Sequence, residues 1–482
     1  MTHVHPTRDD GVVAALSESV GGPVGTHAGR ARWWTPVRVI LAITALTCAL
    51  GMVQKAPCIA GEPADQNYRY SHMCYSDLPP LYTLRGLVQH EWPFSDDEGV
   101  RARFEVMEYP VGIAYWAWGV SHVTHLLNGS PDMDERRRMS LGELSATDDV
   151  RREVELFTWL NAIGFALCAL VAAWLLARVN PRRPWDAAIF ALSPTLALTG
   201  LINWDLLAVV FVAGALWAWS RDRPVLTGVM IGLGTATKLY PLFLLGGVLV
   251  ICLRRRRYAD LVIATLWAVA SWLLANAPAY LTGKEQWTVF WTFNSERGPD
   301  LGSVWSVIAQ ASDTTIGHDT VNTWSWVVFG AWCLGVLVLG LRAPETPRLA
   351  QLGFLVVAGF LLVNKVYSPQ YVLWLLPLAA LARPRWRDQI VWQAGELLYF
   401  AAIWWYLGGF LTPSSGSDAG FYWVAIVLRM MAELYLVGMV VRDVLRPRHD
   451  PVRRDDGPGD LDEPDDLEQD QSTTTRSNAV AV

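Results

Sequence analysis

Charge is what this sequence has least of. Asp, Glu, Lys and Arg make up 17% of its 482 residues, against about 25% in soluble domains. The charges that remain sit in clusters, with long apolar runs between them. Hydrophobic residues reach 52%, with 25 Trp and a mean hydropathy of +0.24. This excludes an ordinary soluble domain and makes length a poor guide to domain number. The basic clusters are short and spaced like loop anchors, so nucleic acid is not an expected partner. The net charge of −6 comes from acidic loops and an acidic tail.

Cysteine is also scarce. Cys48, Cys168, Cys252 and Cys333 lie in or beside apolar runs and are expected to be packing residues. Cys58 and Cys74 lie together in the first long polar stretch. They form a disulfide if that stretch is outside the cytoplasm, or remain two free thiols; the residues favour neither. A cleavable signal peptide is not expected, because about 35 polar residues precede the first apolar run. Residues 1–34 are predicted to be a disordered cytoplasmic segment, and residues 447–482 a disordered acidic cytoplasmic tail without a catalytic role.

What is present is an alternation of apolar runs and arginine clusters. A spanning helix needs about 20 apolar residues, and Arg and Lys mark cytoplasmic loops. The first run, Val37–Gln54, follows Arg30, Arg32 and Arg38, which puts the N-terminus inside. Later runs return in pairs to Arg178–Arg183, Arg221–Arg223, Arg254–Arg257, Arg342–Arg348, Arg383–Arg387 and Arg442–Arg448. The prediction is an all-α integral membrane protein with about twelve transmembrane helices over residues 35–446 and both termini cytoplasmic. Its first outer loop covers about residues 55–152. Within that loop, Tyr109–Leu127 is predicted to be an interfacial or re-entrant helix, since a full span there would invert every later loop. The pair of runs in Pro224–Leu253 is too short for two full spans, so its turn near Lys238–Pro241 must be recessed and must line a cavity.

Polar residues gather at the outer turns. They are Asp77, Glu108, Asn203-Trp204-Asp205, Lys238 with Tyr240, Arg297 with Asp300, and Asn364-Lys365-Val366-Tyr367-Ser368-Pro369-Gln370. Ionisable groups among apolar spans cost about 2.5–3.5 kcal/mol each at a helix centre, so their default reading is functional. Anchoring by snorkelling remains the other reading for Lys238 and Lys365. Trp116, Trp118, Trp287, Trp291, Trp305, Trp324 and Trp326 suit a belt at the outer interface, with stacking on sugar faces as a second use.

In order and spacing these stretches resemble glycosyltransferase family 87. These are integral-membrane transferases of the C-type fold that use polyprenyl-phosphate sugars, including actinobacterial mannosyltransferases and arabinofuranosyltransferases. The resemblance runs from about Arg38 to Arg446 and implies a bacterial plasma membrane with an extracytoplasmic active site. It carries the role of general base to Asp77. The local Ser-Asp-Leu-Pro-Pro-Leu-Tyr departs from a plainer Asp-x-x-x-Tyr, which keeps Glu108 as the second acidic candidate.

The expected partners are a polyprenyl-phosphate sugar donor, a lipid or glycan acceptor, and the bilayer. An acceptor hydroxyl attacks the anomeric carbon while a carboxylate takes its proton. Lys238, Arg297 and Lys365 are the candidate cations for the departing phosphate. Asn203, Asp205, Tyr240, Tyr367 and Gln370 are the candidate substrate contacts. No metal and no cofactor is expected: no Asp-x-Asp motif occurs in the first loop, and His122 and His125 are too few for a site. Mannose is the first choice of sugar and arabinofuranose the second. A lipid-linked sugar transporter or flippase is the rival class; its usual repeated halves are not visible here.

Overall fold

In the computed structural model, described for residues 10–20, 33–59, 67–412 and 419–456, every regular element is helical among the described residues. Among the described residues five helices are long and apolar enough to cross a membrane: Pro36–Ile59, Asp148–Leu176, Tyr258–Thr282, His318–Arg342 and Gly420–Leu445. Shorter apolar helices, Asp205–Trp219, Pro224–Thr237, Leu349–Val363 and Pro369–Ala382, pack among them. The twelve spans expected from charge alternation therefore do not appear as twelve such helices. The short ones are mostly buried by their neighbours, and a helix enclosed by protein need not match the bilayer by itself. Trp386–Leu407 has the length of a span but buries Asp388, Gln389, Gln393 and Glu396, which lowers its hydropathy.

The short hairpin behaves as its length demands. Pro224–Thr237 ends at Lys238, whose backbone is extended. A 3-10 turn, Tyr240–Phe243, then leads into Leu244–Arg255. Gly228 and Gly232 let Pro224–Thr237 lie directly on Tyr258–Thr282. A Cβ at either would sit 2.2 Å from a carbonyl oxygen, of Ala264 or Ala268. Small residues four apart are the usual means of close helix contact where lipid removes the hydrophobic drive.

The first polar stretch is folded. It holds short helices at Leu78–Leu84, Glu98–Arg103, Met133–Arg138 and Leu141–Ala146 around the 17-residue helix Val111–Leu127. That helix buries Ile113, Ala117, Ser121, Thr124 and His125, and exposes Leu126 and Leu127. Arg136 is buried and donates to Glu153 at 2.7 Å and to Asp149. Glu153 also accepts from Tyr82 at 2.7 Å, and the Tyr82 hydroxyl meets His125 Nε2 at 2.8 Å. His125 is thus part of a structural network. Cys58 and Cys74 are joined in a disulfide.

Short parts of both predicted tails fall within the described residues. Gly11–Val20 is helical, and the Asp10 carboxylate accepts the Trp386 N–H at 2.9 Å. At the other end, Asp450 is fully buried and pairs with Arg348 at 3.0 Å. Arg453 pairs with Glu345. A buried carboxylate binds these residues to the helix ends more strongly than their polar composition implies. The rest of both predicted tails, residues 1–9, 21–32 and 457–482, lies outside the described residues.

Two outcomes follow. Arg348→Ala removes the closer guanidinium from the buried Asp450, leaving it Arg453 at 3.6 Å and the Gln351 amide at 3.0 Å, so it should cost up to about 3 kcal/mol and lower the melting temperature, with part recovered on adding Asp450→Ala. The disulfide joins positions 16 apart, so its reduction should cost about 3 kcal/mol, seen as a lower melting temperature with dithiothreitol. Maleimide should modify Cys58 and Cys74 only after that reduction.

Candidate active site

Four interrupted stretches meet around one cavity of about 680 Å³. The first is the segment before Leu78–Leu84. That helix starts at Leu78-Pro79-Pro80, where missing proline N–H groups cost nothing in a first turn. Asp77 occupies the cap position, but its carboxylate does not cap the helix. Its backbone N–H donates to the Ile202 carbonyl at 2.9 Å, and Ser76 Oγ donates to Leu201 O at 2.8 Å. The segment is thereby docked on the second interruption, Leu201–Asn203.

This docking orients Asp77. Tyr75 donates its hydroxyl to Asp77 Oδ1 at 2.8 Å, and Asn203 Nδ2 donates to Oδ2 at 2.8 Å. Asn203 also donates to the Tyr109 hydroxyl at 2.7 Å. Upstream, Lys55 Nζ donates to the Tyr75 carbonyl at 2.9 Å and Gln54 to the Met73 carbonyl at 2.6 Å. With the disulfide, these contacts pin the Met73–Tyr75 segment. Burial pushes the Asp77 carboxyl above the ordinary range. The donations from Tyr75 and Asn203 and the charge of Lys238 pull it partly back, while Asp205 pushes it up.

Glu108 lines the same cavity but has a different environment. Arg85 donates to Glu108 Oε2 at 3.0 Å and pairs with Glu105 at 2.8 Å. Its carboxylate is thus engaged by a guanidinium, whereas that of Asp77 is held by two neutral donors.

The cations come from the other two interruptions and from the recessed turn. Lys238 lies 5.1 Å over the Tyr109 ring and 3.4 Å from Asp205 Oδ1. Lys365 Nζ donates to Asn322 Oδ1 at 2.6 Å and Ser295 O at 3.3 Å, both uncharged oxygens. Burial, then the neighbouring charge of Arg297, lowers its pKa. Arg297 is half-exposed and pairs with Asp300. The Gln370 side chain lines the cavity, and its buried amide oxygen has no protein partner among the described residues.

Three predicted residues stand behind the wall. Asp205 is fully buried, accepting from Trp374 Nε1 at 2.7 Å and pairing with Lys238. Tyr240 is stacked on Trp374 at 4.6 Å. Tyr367 points away from the cavity, its hydroxyl donating to Glu433 at 2.8 Å. Each belongs to a polar motif, but the local backbone turns its side chain into the protein.

Sequence reasoning missed several wall residues. Tyr75 and Tyr109 adjoin the motifs and were legible only as neighbours. The rings of Tyr70, Tyr75 and Trp404 gather beside Asp77, with centroids 5.9 Å apart for Tyr70–Tyr75 and 5.4 Å for Tyr75–Trp404. On another part of the wall Trp326, Phe329 and Phe360 make an apolar groove, with Phe329–Phe360 at 5.4 Å. Trp291 and Trp326, expected in an interfacial belt, line the cavity. Among the described residues no cluster of three or more His, Cys, Asp or Glu has metal-binding geometry. The cavity thus combines a held carboxylate, several cations and two apolar walls, a set suited to moving a polar group between amphipathic partners.

No curated protein matches the chain. The family model for glycosyltransferase family 87 matches residues 153–364. That stretch holds Asn203, Asp205, Lys238, Tyr240 and Arg297, whereas Asp77, Glu108, Lys365, Tyr367 and Gln370 lie outside it. Over that stretch the match bears out the resemblance to glycosyltransferase family 87 read from the sequence, in a helical chain with helices long and apolar enough to cross a membrane.

Proposed function

We propose that this glycosyltransferase moves mannose from a polyprenyl-phosphate donor to a lipid or glycan acceptor on the outer face of the plasma membrane. The observation that carries the reading is one cavity holding Asp77, fixed by two neutral donors, together with Lys238, Arg297 and Lys365. The acceptor oxygen attacks the anomeric carbon and its proton goes to Asp77. The bond from that carbon to the phosphate oxygen breaks, and polyprenyl phosphate leaves. A single displacement inverts the anomeric centre. Negative charge grows on the leaving phosphate, where fixed cations in a water-poor site stabilise it.

The two apolar walls suit the two partners. The groove of Trp326, Phe329 and Phe360 adjoins the Lys365 segment, since Ser325 donates to the Val363 carbonyl at 2.8 Å. We assign it to the first isoprene units of the donor. The rings of Tyr70, Tyr75 and Trp404 flank Asp77, where the acceptor must present its hydroxyl. The pairing of Glu108 with Arg85 favours Asp77 as the base.

The test is transfer of radiolabelled mannose from polyprenyl-phosphate mannose by the full chain in lipid nanodiscs. Asp77→Asn should lose about 10²–10⁴-fold in rate while donor binding persists. Lys365→Ala should raise the donor KM more than it lowers kcat. Equal transfer by wild type and Asp77→Asn removes Asp77 from the mechanism and turns attention to Glu108. If no mannose moves, an arabinofuranose donor is the next substrate.

A pH profile tests the same carboxylate separately. Asp77 must be ionised to accept a proton, so activity rises with pH through its pKa, which burial holds above the usual value. The Tyr75 hydroxyl lowers that pKa. Tyr75→Phe should therefore shift the acidic limb of kcat/KM to higher pH. A limb that stays in place or moves down would argue against Asp77 as the titrating group.

A further inference from the structure

One charge deep in the protein is not used by the reaction above. Arg429 is fully buried in the middle of Gly420–Leu445, a helix apolar enough to span a membrane. A guanidinium there is expensive, and its expected companion is a carboxylate. Glu396 and Glu433 are nearby, yet both converge on the Tyr367 hydroxyl, at 3.4 and 2.8 Å. The Arg429 donors go elsewhere. Nη1 donates to the Tyr367 carbonyl at 3.1 Å, and Nη2 donates to the Gly302 carbonyl. The guanidinium itself lies 3.6 and 3.8 Å from the ring centroids of Tyr367 and Tyr399.

Those two carbonyls belong to the two segments that bear Arg297 and Lys365. The segments also pair directly. Asp300 N–H donates to the Lys365 carbonyl at 2.8 Å, and Tyr367 N–H to the Leu301 carbonyl at 3.0 Å. Two tyrosines reinforce the junction. Tyr399 donates to the Tyr367 carbonyl at 3.1 Å, and the Gly302 N–H donates to the Tyr422 hydroxyl at 3.0 Å. Gly302 has φ +73°, and a Cβ there would lie 2.1 Å from the Tyr399 hydroxyl and 2.3 Å from the Tyr367 carbonyl. The junction closes only around glycine.

We infer that Arg429 is a positioning residue for the phosphate end of the cavity, bridging the Gly302 and Tyr367 carbonyls so that Arg297 and Lys365 are presented together. It never touches the ligand. The inference rests on the reading of Lys365 and Arg297 as phosphate ligands. A lysine keeps the charge but cannot span two carbonyls with a planar fork. A cation displaced by about 1 Å forfeits much of its value, up to about 10²-fold.

The test uses the full chain in nanodiscs and a probe without any sugar. Calorimetry measures binding of farnesyl phosphate, with farnesol as the uncharged control. Arg429→Lys should weaken farnesyl phosphate by about tenfold or more and leave farnesol unchanged. Adding Arg429→Lys to the Lys365→Ala/Arg297→Ala double variant should weaken farnesyl phosphate no further, because Arg429 acts through those two cations. Tyr422→Phe and Tyr399→Phe, which remove the hydroxyls that hold the junction, should show the same phosphate-selective loss at smaller size. They carry the test if Arg429→Lys does not fold. Unchanged farnesyl phosphate binding in Arg429→Lys, equal losses for both probes, or a further loss when Arg429→Lys is added to Lys365→Ala/Arg297→Ala would overturn the inference alone. If Lys365→Ala and Arg297→Ala leave farnesyl phosphate binding intact, the phosphate reading falls first and the inference with it.

Discussion

Backbone groups freed where a helix breaks inside an apolar bundle must find partners within the protein. The cavity follows from that constraint. Each break pairs with another break: Asp77 with Ile202, and Asp300 and Leu301 with Lys365 and Tyr367. Where backbone alone does not suffice, buried side chains complete the pairing, as Ser76 does for Leu201 and Arg429 for Gly302 and Tyr367. Because the breaks satisfy one another, they collect in one region, and the polar residues in them face a common space.

The folded outer segment depends on a second buried arrangement. Arg136, Glu153, Tyr82 and His125 join the short helices to the long helix Asp148–Leu176. An ion pair at that depth contributes little net stability, but removing one partner is costly. It therefore acts as a registration device, holding Val111–Leu127 so that Tyr109, just before it, reaches Asn203. The disulfide and Lys55 do the same for Tyr75 from the other side. Asp77 is thus oriented by tyrosine and asparagine side chains whose own positions are fixed by distant parts of the chain.

The proposed glycosyl transfer from a lipid phosphate would need opposite electrostatics within one site: a basic carboxylate for the acceptor and cations for the leaving group. Left in contact, they would neutralise each other. Here the cations have other partners. Lys238 is held by Asp205 and the Tyr109 ring, Arg297 by Asp300, and Lys365 by uncharged oxygens. Asp77 is held by a phenol and an amide. Both signs of charge can then persist in one cavity.

The alternation of apolar runs with arginine clusters was enough to read a helical membrane protein, and the ordered polar motifs were enough to read a resemblance that a family model bears out over residues 153–364. The short hairpin also announced its own recessed turn, since 30 residues cannot make two full spans. Those features are local and depend only on composition, length and spacing. The sequence could not separate Asp77 from Glu108, because the difference lies in Arg85 and in Tyr75 with Asn203. Nor could it show that Tyr367 points toward Glu433 or that Arg429 reaches two loops. Arg348 finding Asp450 102 positions away extended the fold past a boundary that polarity alone had drawn. Composition and spacing decide which segments avoid water. Only tertiary structure decides which buried polar group meets which, because those partners are brought together from distant parts of the chain.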